Sequence, residues 1–240
     1  MQLKVSTSTT IGPRQTNQDR LYADIKSIDG CNLGAFCVAD GMGGLDNGDY
    51  ASTVAIEAVE DWWKSFMPKG DGVLNELEQL IFKMNSQIIQ YSKVKGLKIG
   101  TTCSILILSD SSYYIAHVGD SRIYIASRKV FKKQLISQIT TDHVNPNNNR
   151  LTSCIGVFDY PSIHMTSDLL TGNGRFILCS DGIYSVVNRQ EIAKMSPDQL
   201  VKKALKRNTT DNASVIVVEF KGASGSIAYP LPTEVITEQL

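Results

Sequence analysis

The sequence predicts an α+β fold, a layered α-β-β-α sandwich of two mainly antiparallel sheets flanked by helices. Short runs rich in β-branched and aromatic residues, bounded by Gly, Asp or Ser, are typical of strands. Two long runs with helical spacing follow one another between strands. Because helices occur in sequence pairs and strands in consecutive runs, separate layers are favoured over a doubly wound fold.

Length and composition limit the class of protein. The 240 residues, 42% of them apolar, can supply the core of one large domain or two small ones. The 24 basic and 24 acidic residues cancel, so no overall field favours nucleic acid or an anionic membrane. No stretch is long enough to span a bilayer, and five cysteines without C-x-x-C spacing indicate reduced thiols. We therefore expect a cytoplasmic protein without a membrane partner.

Six strands are predicted from their composition and their flanking residues. They are LGAFCVAD, TTCSILILS, YYIAHVGD, SRIYIAS, RFILCSD and ASVIVVEF. The third and fourth strands meet at GDSR, residues 119–122, a tight turn that predicts an antiparallel hairpin.

Three helices are predicted, two of them from apolar periodicity. The first run begins at Ala51, and its apolar residues are Val54, Ala55, Ala58, Trp62 and Phe66. The apolar residues of the second run are Leu74, Leu77, Ile81, Met84, Ile88 and Tyr91. Ser196 before a proline, with Gln199 three positions later, predicts a capping box that opens a third helix through Leu205. The domain is expected to span residues 1–221, followed by a C-terminal tail at 222–240.

Four carboxylates share one local pattern. Asp40, Asp120, Asp181 and Asp211 each lie at a predicted strand end beside a glycine or another small residue. Strand ends on a common edge bring distant residues together, and carboxylates placed that close repel unless a cation neutralises them. Oxygen ligands without histidine or cysteine suit magnesium or manganese. Taken singly, each of these acids is better explained by an ordinary turn than by a metal site.

The order of the motifs resembles the metal-dependent serine/threonine protein phosphatases of type 2C, the PPM family. The resemblance runs from about Thr10 to Phe220. It begins at GPRQTNQDR, which is similar to the family's R-x-x-N-[EQ]-D signature. It continues through VADGMGG, GTTCSILIL, AHVGDSRIY, TTDH, LTSCIG, LCSDGIY and DNASVIVV. Each motif alone is weak, whereas all of them in family order are specific.

The resemblance implies a metal site. Asp40 would bridge two divalent ions, Mn²⁺ or Mg²⁺, with the backbone carbonyl of Gly41 on one of them. Asp181 and Asp211 would complete the other ion. Asp120 matches the acid that helps Asp181 to hold a third, looser ion in bacterial members.

Three residues of the first motif complete the implied site. Arg14 matches the arginine that binds substrate phosphate, and its planar fork suits bidentate contact with phosphate oxygens. Asp19 and Gln18 would support the metal site through hydrogen bonds or bound water. Gln18 stands where many members have glutamate, so one negative charge is missing, although bacterial relatives also have glutamine there.

The activity implied is hydrolysis of phosphoserine or phosphothreonine by direct attack of a hydroxide held between two cations. The expected partner is a phosphorylated protein, opposed to a serine/threonine kinase, and we expect a monomer. Two alternatives stay open at this point. One is a pseudophosphatase that acts as a binding or regulatory module. The other is a phosphohydrolase for small phosphate esters.

Two further departures from the family pattern concern the mouth of the site. Met42 stands where animal members carry a histidine, which places the chain on the bacterial side of the family. Most bacterial members insert a flap between TTDH and LTSCIG, whereas only VNPNNNR intervenes here. We expect an open cleft, with the asparagines closing the gap as a turn.

Overall fold

The computed structural model describes residues 1–28, 30–42, 47–67, 72–109, 111–128 and 134–221. The expected tail at 222–240 lies outside these residues, as do Gly43 and Gly44 of VADGMGG. Within the described ranges, eleven strands and five helices are found. The strands are β1 (Gln2–Thr10), β2 (Asp19–Ile28), β3 (Cys31–Met42), β4 (Gly100–Thr101), β5 (Cys103–Ser109), β6 (Ser112–Val118), β7 (Arg122–Arg128), β8 (Gln134–Gln138), β9 (His164–Leu169), β10 (Asn173–Cys179) and β11 (Ala213–Lys221). The helices are α1 (Gly48–Ser65), α2 (Val73–Lys95), α3 (Asp181–Tyr184), α4 (Arg189–Ile192) and α5 (Pro197–Lys206).

The strands form two sheets whose described pairings are all antiparallel. The first sheet has the order β1-β11-β10-β7-β8, and the second has the order β2-β3-β5-β6-β9 with β4 paired to β3. Four of the strands, β1, β2, β8 and β9, were not predicted from the sequence. β1 and β2 are only partly buried, so their sequences lack the apolar runs of the central strands.

Three apolar cores separate four layers. Strand β3 shows how one strand serves two of them, because successive side chains point to opposite faces of a sheet. Phe36 and Val38 pack between the two sheets, against residues of β10 and β11 such as Phe176 and Ile216. The intervening Cys37 packs on the other face, in the core that α1 and α2 cover. The third core lies between the first sheet and the helices α3, α4 and α5. The predicted α-β-β-α sandwich is therefore confirmed.

The hairpin predicted at GDSR is wrong. Strand β6 pairs with β5 and β9 in the second sheet, whereas β7 pairs with β10 and β8 in the first. The turn at Gly119–Ser121 therefore carries the chain from one sheet to the other. Gly119 permits this crossing because its φ is +109° and a Cβ there would lie 2.5 Å from Thr102 Cγ2. A short polar turn between two strands does not itself show whether they share a sheet.

The buried face of α1 is rotated from the predicted one. The helix begins at Gly48, and its fully buried residues include Val59 and Trp63, in place of the half-buried Val54, Ala58 and Trp62. Trp63 donates its indole N–H to Asp24 Oδ2 at 2.8 Å. Both faces are apolar enough to satisfy the helical period, so the pattern alone does not choose between them.

The predicted opening of the last helix is confirmed. Ser196 Oγ accepts from the Gln199 backbone N–H, and the Gln199 side chain accepts from the Ser196 N–H, which is a capping box. Of the cysteines, Cys37, Cys103, Cys154 and Cys179 are buried. Among the described helices, none is both long and apolar enough to cross a membrane.

Candidate active site

Two carboxylates lie side by side on neighbouring strands. Asp19, the first residue of β2, is directly opposite Asp40 in the β2–β3 register. Asp19 is buried, with 4% of its surface exposed, whereas Asp40 is partly open to solvent. The backbone of Asp40 is fixed by its neighbours, since its N–H donates to Thr102 Oγ1 at 3.0 Å and its carbonyl accepts from the Thr102 N–H at 2.9 Å. The fold thus holds two like charges close together at the end of a buried strand.

Asp19 is connected to the opposite sheet through serine hydroxyls. Ser180 Oγ donates to Asp19 Oδ2 at 2.8 Å and accepts from the Ser214 N–H at 3.0 Å. Burial raises the pKa of Asp19 to about 6, although these serine hydrogen bonds oppose the rise. Asp19 is thus part of a hydrogen-bonded link between the strand ends of the two sheets, and its supporting role at a metal site stays a prediction.

Asp181 has a buried oxygen without a partner. It is the first residue of α3, and its Oδ1 is buried and makes no hydrogen bond with the described residues. Burial, followed by the charges of Asp120, Asp211 and Asp19, raises the pKa of Asp181 to about 7. A buried carboxylate oxygen is normally paired, so this one is suited to a ligand that the chain itself does not supply.

The acids converge on Asp40. Burial, and then the charges of Asp19, Asp181, Asp120 and Asp211, raise the pKa of Asp40 well above its usual range. Such a cluster fits hard divalent cations, which neutralise carboxylates through oxygen ligands. Among the described residues, no group of three or more Asp, Glu, His or Cys side chains is arranged so that it could hold a metal ion. The acids act on one another through their charges, and their roles as metal ligands stay a prediction.

The residue after Asp40 must be glycine because the backbone at the start of α1 passes close to it. A Cβ on Gly41 would lie 2.1 Å from the carbonyl oxygen of Gly48, the first residue of α1. The Gly41 N–H donates to the Gln18 carbonyl at 3.2 Å, and Ser52 Oγ on α1 donates to the same carbonyl at 2.6 Å. Gln18, Gly41 and the start of α1 are consequently packed into one unit beside the acids.

Arg14 reaches the same cluster from an exposed loop. Its Nη2 donates to Asp211 Oδ2 at 2.6 Å, and its Nε donates to the Thr210 carbonyl at 3.1 Å. The Arg14 side chain keeps 54% of its surface exposed. Its charge therefore lies at the exposed edge of the acid cluster, in contact with Asp211.

Asn212 is a positioning residue that the sequence analysis did not identify. Its Nδ2 donates to the carbonyls of Ile11 and Thr16 at 2.8 and 3.0 Å, and its Oδ1 accepts from the Gln18 N–H at 2.9 Å. One side chain thus anchors both ends of the loop that carries Arg14. The sequence feature that could have indicated Asn212 is its position directly after Asp211 in the motif DNASVIVV.

Asp120 lies on the turn that connects the two sheets. Burial and the nearby Asp142 raise its pKa, while Arg122 and a hydrogen bond from Tyr184 oppose the rise. Arg122 binds Asp142 Oδ2 through Nε at 2.9 Å and Nη2 at 2.7 Å, and its guanidinium carbon lies 3.7 Å from the centre of the Tyr184 ring. The RIY and TTDH motifs therefore supply a rigid support for Asp120.

The segment VNPNNNR forms a tight turn, as predicted. Val144 and Leu151 form an isolated antiparallel bridge, and the Asn145 N–H donates to the Arg150 carbonyl at 2.8 Å. Asn149 adopts φ +53°, which asparagine tolerates better than most residues.

These pKa shifts predict how the metal-free chain responds to pH. Burial lowers the pKa values of the histidines, so loss of protons from the unfolded chain above about pH 6.5 favours the folded state and opposes the effect of the acids. Burial raises the folded pKa of Asp181 to about 7, above its unfolded value of 3.8, so the folded chain holds more protons at this carboxyl and loses stability as pH rises through 7. The histidine contribution is common to the wild type and to Asp181→Asn. In chelator between about pH 6.5 and 8.5, we therefore expect the free energy of unfolding, measured by urea titration, to fall by about 1 kcal/mol more in the wild type than in that variant.

The Asp181→Asn variant is the control for that measurement, because it removes the carboxyl whose pKa is raised to about 7 and keeps all three histidines. The same pH dependence of the free energy of unfolding in both proteins would contradict the raised pKa of Asp181.

The known family and the relative that this chain matches are protein phosphatases. Residues 9–214 match the family model described as Protein phosphatase 2C. A relative from Listeria monocytogenes, named serine/threonine phosphatase stp, is 28% identical over 215 residues, which cover 76% of this chain and 82% of that protein.

Solved structures share the fold. One, titled crystal structure of bacterial serine phosphatase, superposes with a TM-score of 0.80 at 25% identity and covers 92% of this chain and 99% of that one. Another is the catalytic domain of the serine threonine protein phosphatase PstP in complex with two manganese ions. It has a TM-score of 0.76 at 25% identity and covers 90% of this chain and 97% of that one.

Proposed function

The chain belongs to the protein phosphatase 2C family of metal-dependent protein phosphatases, and from that premise we propose that it removes phosphate from phosphoserine and phosphothreonine in proteins. The observation that carries the proposal is a group of acids that act on Asp40. Asp19 lies opposite it on β2, and the charges of Asp120, Asp181 and Asp211 raise its pKa, while Arg14 binds Asp211. The cluster offers sites for cations, and the arginine offers a site for phosphate.

Five groups are proposed to hold the ions. Asp40, the carbonyl of Gly41, Asp181 and Asp211 would bind two Mn²⁺ or Mg²⁺ ions, and Asp120 would join Asp181 at a third. The Oδ1 of Asp181 supports this assignment, because it is buried and has no hydrogen-bond partner in the part of the chain that the structure describes. When bound, such ions supply an acidified water and positive charge for the oxygens of an in-line displacement at phosphorus.

The chain's own residues position the substrate. Arg14 now pairs with Asp211, and a cation on that acid would free the guanidinium fork to hold two phosphate oxygens. Asp19 keeps the two sheet edges in place through Ser180, and Gln18 fixes the start of α1 against Gly41. Met42 carries no titratable proton, so water or another residue would protonate the leaving serine or threonine oxygen.

The alternatives differ in how well the site supports them. A pseudophosphatase would be expected to lack ligands, whereas Asp40, Asp181 and Asp211 are all present. Hydrolysis of small phosphate esters is favoured by one observation, the tight turn at residues 144–151, which leaves the cleft without a longer insertion there. We therefore propose protein substrates with small esters as secondary ones.

The cellular setting is part of the proposal. We place the enzyme in the cytoplasm as a monomer that reverses the action of a serine/threonine kinase. The buried thiols of Cys37 and Cys103 are compatible with a reducing compartment.

The decisive experiment measures phosphate release from a phosphothreonine peptide. We expect release with Mn²⁺ or Mg²⁺, abolition by chelator and recovery when the ion is restored. A folded chain that releases no phosphate with either ion would overturn the enzymatic proposal. Faster turnover of nucleotides or sugar phosphates than of phosphopeptides would favour the second candidate.

Replacing Arg14 tests the phosphate site. Arg14→Ala should lower kcat/KM for the phosphopeptide by roughly 10- to 100-fold, and Arg14→Lys should recover only part of the loss, because lysine lacks the bidentate fork. The melting temperature should change little, since the Arg14–Asp211 pair is exposed.

Arg207→Ala is a matched control for Arg14, because this arginine also makes an exposed ion pair, with Glu191. Its kcat/KM should equal that of the wild type. An Arg14→Ala variant with unchanged kcat/KM would show that another group binds the phosphate.

A further inference from the structure

Three exposed apolar side chains lie together in the loop that follows Ile155. Val157, Phe158 and Tyr160 expose 54%, 37% and 87% of their surfaces. Single exposed apolar residues are ordinary on protein surfaces, whereas several in a row suggest contact with another molecule. The packing of the two sheets does not account for these side chains, because none of them belongs to the three described cores.

The backbone of this loop is held from beneath by a buried amide. Asn85 on α2 exposes only 2% of its surface. Its Oδ1 accepts from the Gly156 N–H at 2.7 Å, and its Nδ2 donates to the carbonyls of Phe158 at 2.9 Å and Asp159 at 3.3 Å. The exposed side chains are thus presented by a fixed backbone, so little conformational entropy would be lost when a ligand binds them.

A glycine brings the loop close to α2. Gly156 adopts φ +93°, and a Cβ there would lie 2.3 Å from Ile88 Cγ2. Only glycine allows both this backbone conformation and this approach. The loop is therefore a specific structure and not a loose connection.

The loop lies beside the strand end that carries Asp40. Met42 pairs with Gly100 and Gly41 pairs with Thr101, which in turn forms a bridge with Ile155. A Cβ on Gly100 would lie 2.9 Å from Val157 Cγ2, so the valine methyl covers that glycine. Two strand spacings, about 10 Å in all, separate the backbone of β3 from this side of the loop.

We propose that Val157, Phe158 and Tyr160 form an apolar subsite that binds a leucine-like or aromatic side chain of the phosphoprotein substrate. The inference rests on the proposed function and specifies its substrate class. An extended peptide advances about 3.3 Å per residue, so a separation of about 10 Å corresponds to a position about three residues from the phosphorylated one. The subsite is connected to the acid cluster through β4 and Ile155, so we assign a segment of the bound substrate as the ligand of the subsite.

The compact turn at residues 144–151 leaves the selection of substrate to other parts of the chain. It closes on itself through the Val144–Leu151 bridge, so the segment joining His143 to Leu151 does not extend as a longer arm. Selection of a substrate then falls to fixed surfaces around the cleft. Val157, Phe158 and Tyr160 are the exposed apolar group that β4 and Ile155 connect directly to Asp40 and Met42.

The test compares phosphothreonine peptides that are identical except for two residues. One peptide carries two leucines at the second and third positions after the phosphothreonine, and another carries them at the corresponding positions before it. The reference peptide has serine at all four positions. With Mn²⁺ present, the wild type should show a kcat/KM for one leucine peptide roughly five- to tenfold above that of the reference peptide, mostly through KM.

Two substitutions and a control assign the preference to the subsite. Tyr160→Ser and Val157→Ser should each reduce the preference for leucine to about twofold or less, while the rates on the serine peptide and on p-nitrophenyl phosphate stay unchanged. Leu169→Ser, which alters an equally exposed apolar residue on β9, should keep the full preference. Tyr160 is the most exposed of the three side chains, so its removal leaves folding intact.

The outcomes separate the subsite from the function on which it rests. Equal rates on all three peptides in the wild type, or a preference that survives both serine variants, would overturn the subsite and leave the phosphatase proposal standing. Release from none of the peptides would overturn both. A preference lost in the variants but kept in Leu169→Ser supports the subsite.

Discussion

Asp40→Asn is expected to lower metal-dependent phosphate release by at least about 1000-fold while raising the melting temperature of the metal-free protein. The two effects have one cause. In the absence of metal, desolvation of the Asp40 carboxylate, and then the charges of four other acids, raise its pKa well above its usual range. The amide has nearly the same shape but no charge, so the repulsion is relieved while a ligand for cations is lost.

Thermal unfolding with and without Mn²⁺ checks this prediction independently of turnover. Binding to the folded state alone stabilises the wild type by about 2.7 kcal/mol at an ion concentration 100 times the Kd, and the variant should gain much less. Asp168→Asn, an exposed acid on β9, is the control and should behave like the wild type. A variant at Asp40 that retained a tenth of the activity would contradict a central role for this carboxylate.

Gly182→Ala is expected to disable the site through the backbone. A Cβ on Gly182 would lie 1.9 Å from the carbonyl oxygen of Asn212, 2.8 Å from its carbonyl carbon and 3.1 Å from Ala213 Cα. The contacts are with backbone, so the first turn of α3 must move away from the start of β11. That movement separates Asp181 from Asp211. We expect a loss of about 3 kcal/mol in the free energy of unfolding and at least about a 100-fold loss of kcat/KM.

Gly72→Ala is the matched control for this substitution. It introduces the same methyl group, but a Cβ on Gly72 meets no atom of the described residues within 4 Å, and its φ of −87° suits alanine. Its stability and activity should remain those of the wild type. If Gly182→Ala unfolded at the same urea concentration as the wild type, the close approach of α3 and β11 would not be required.

The layers of the fold could be predicted because their central strands are continuous apolar runs. β3 and β5 are buried over most of their length, which gives them a clear sequence pattern. β1 reads QLKVSTSTT and is half-exposed, so its polar residues conceal a strand that pairs with β11 over nine positions. The sheet to which β7 belongs is fixed by contacts with β10, which lies about fifty residues further along the chain. Local turn chemistry at Gly119 contains no information about that partner.

The acids of the site could be predicted from the sequence, whereas the groups that position them could not. Asp40 and Asp181 follow apolar runs and carry a motif, whereas Ser180 and Asn212 are common polar residues in sequence. Their roles come from hydrogen bonds to Asp19 and Gln18, more than 150 residues away in the chain. Such pairings are properties of the assembled sheets and have no local signature.

The pairing of β1 with β11 also determines when catalysis becomes available during synthesis. Thr9 and Ser214, whose hydroxyl groups lie 2.7 Å apart, are separated by 205 residues. A ribosome that adds about 5 to 20 residues per second therefore completes the partner of β1 roughly 10 to 40 seconds after β1 itself. Until then the loop that holds Arg14 lacks Asn212, and Asp40 lacks Asp211. A nascent chain therefore exposes an unmatched strand edge until β11 is synthesised, and it acquires the ability to remove phosphate only after β11 has paired with β1.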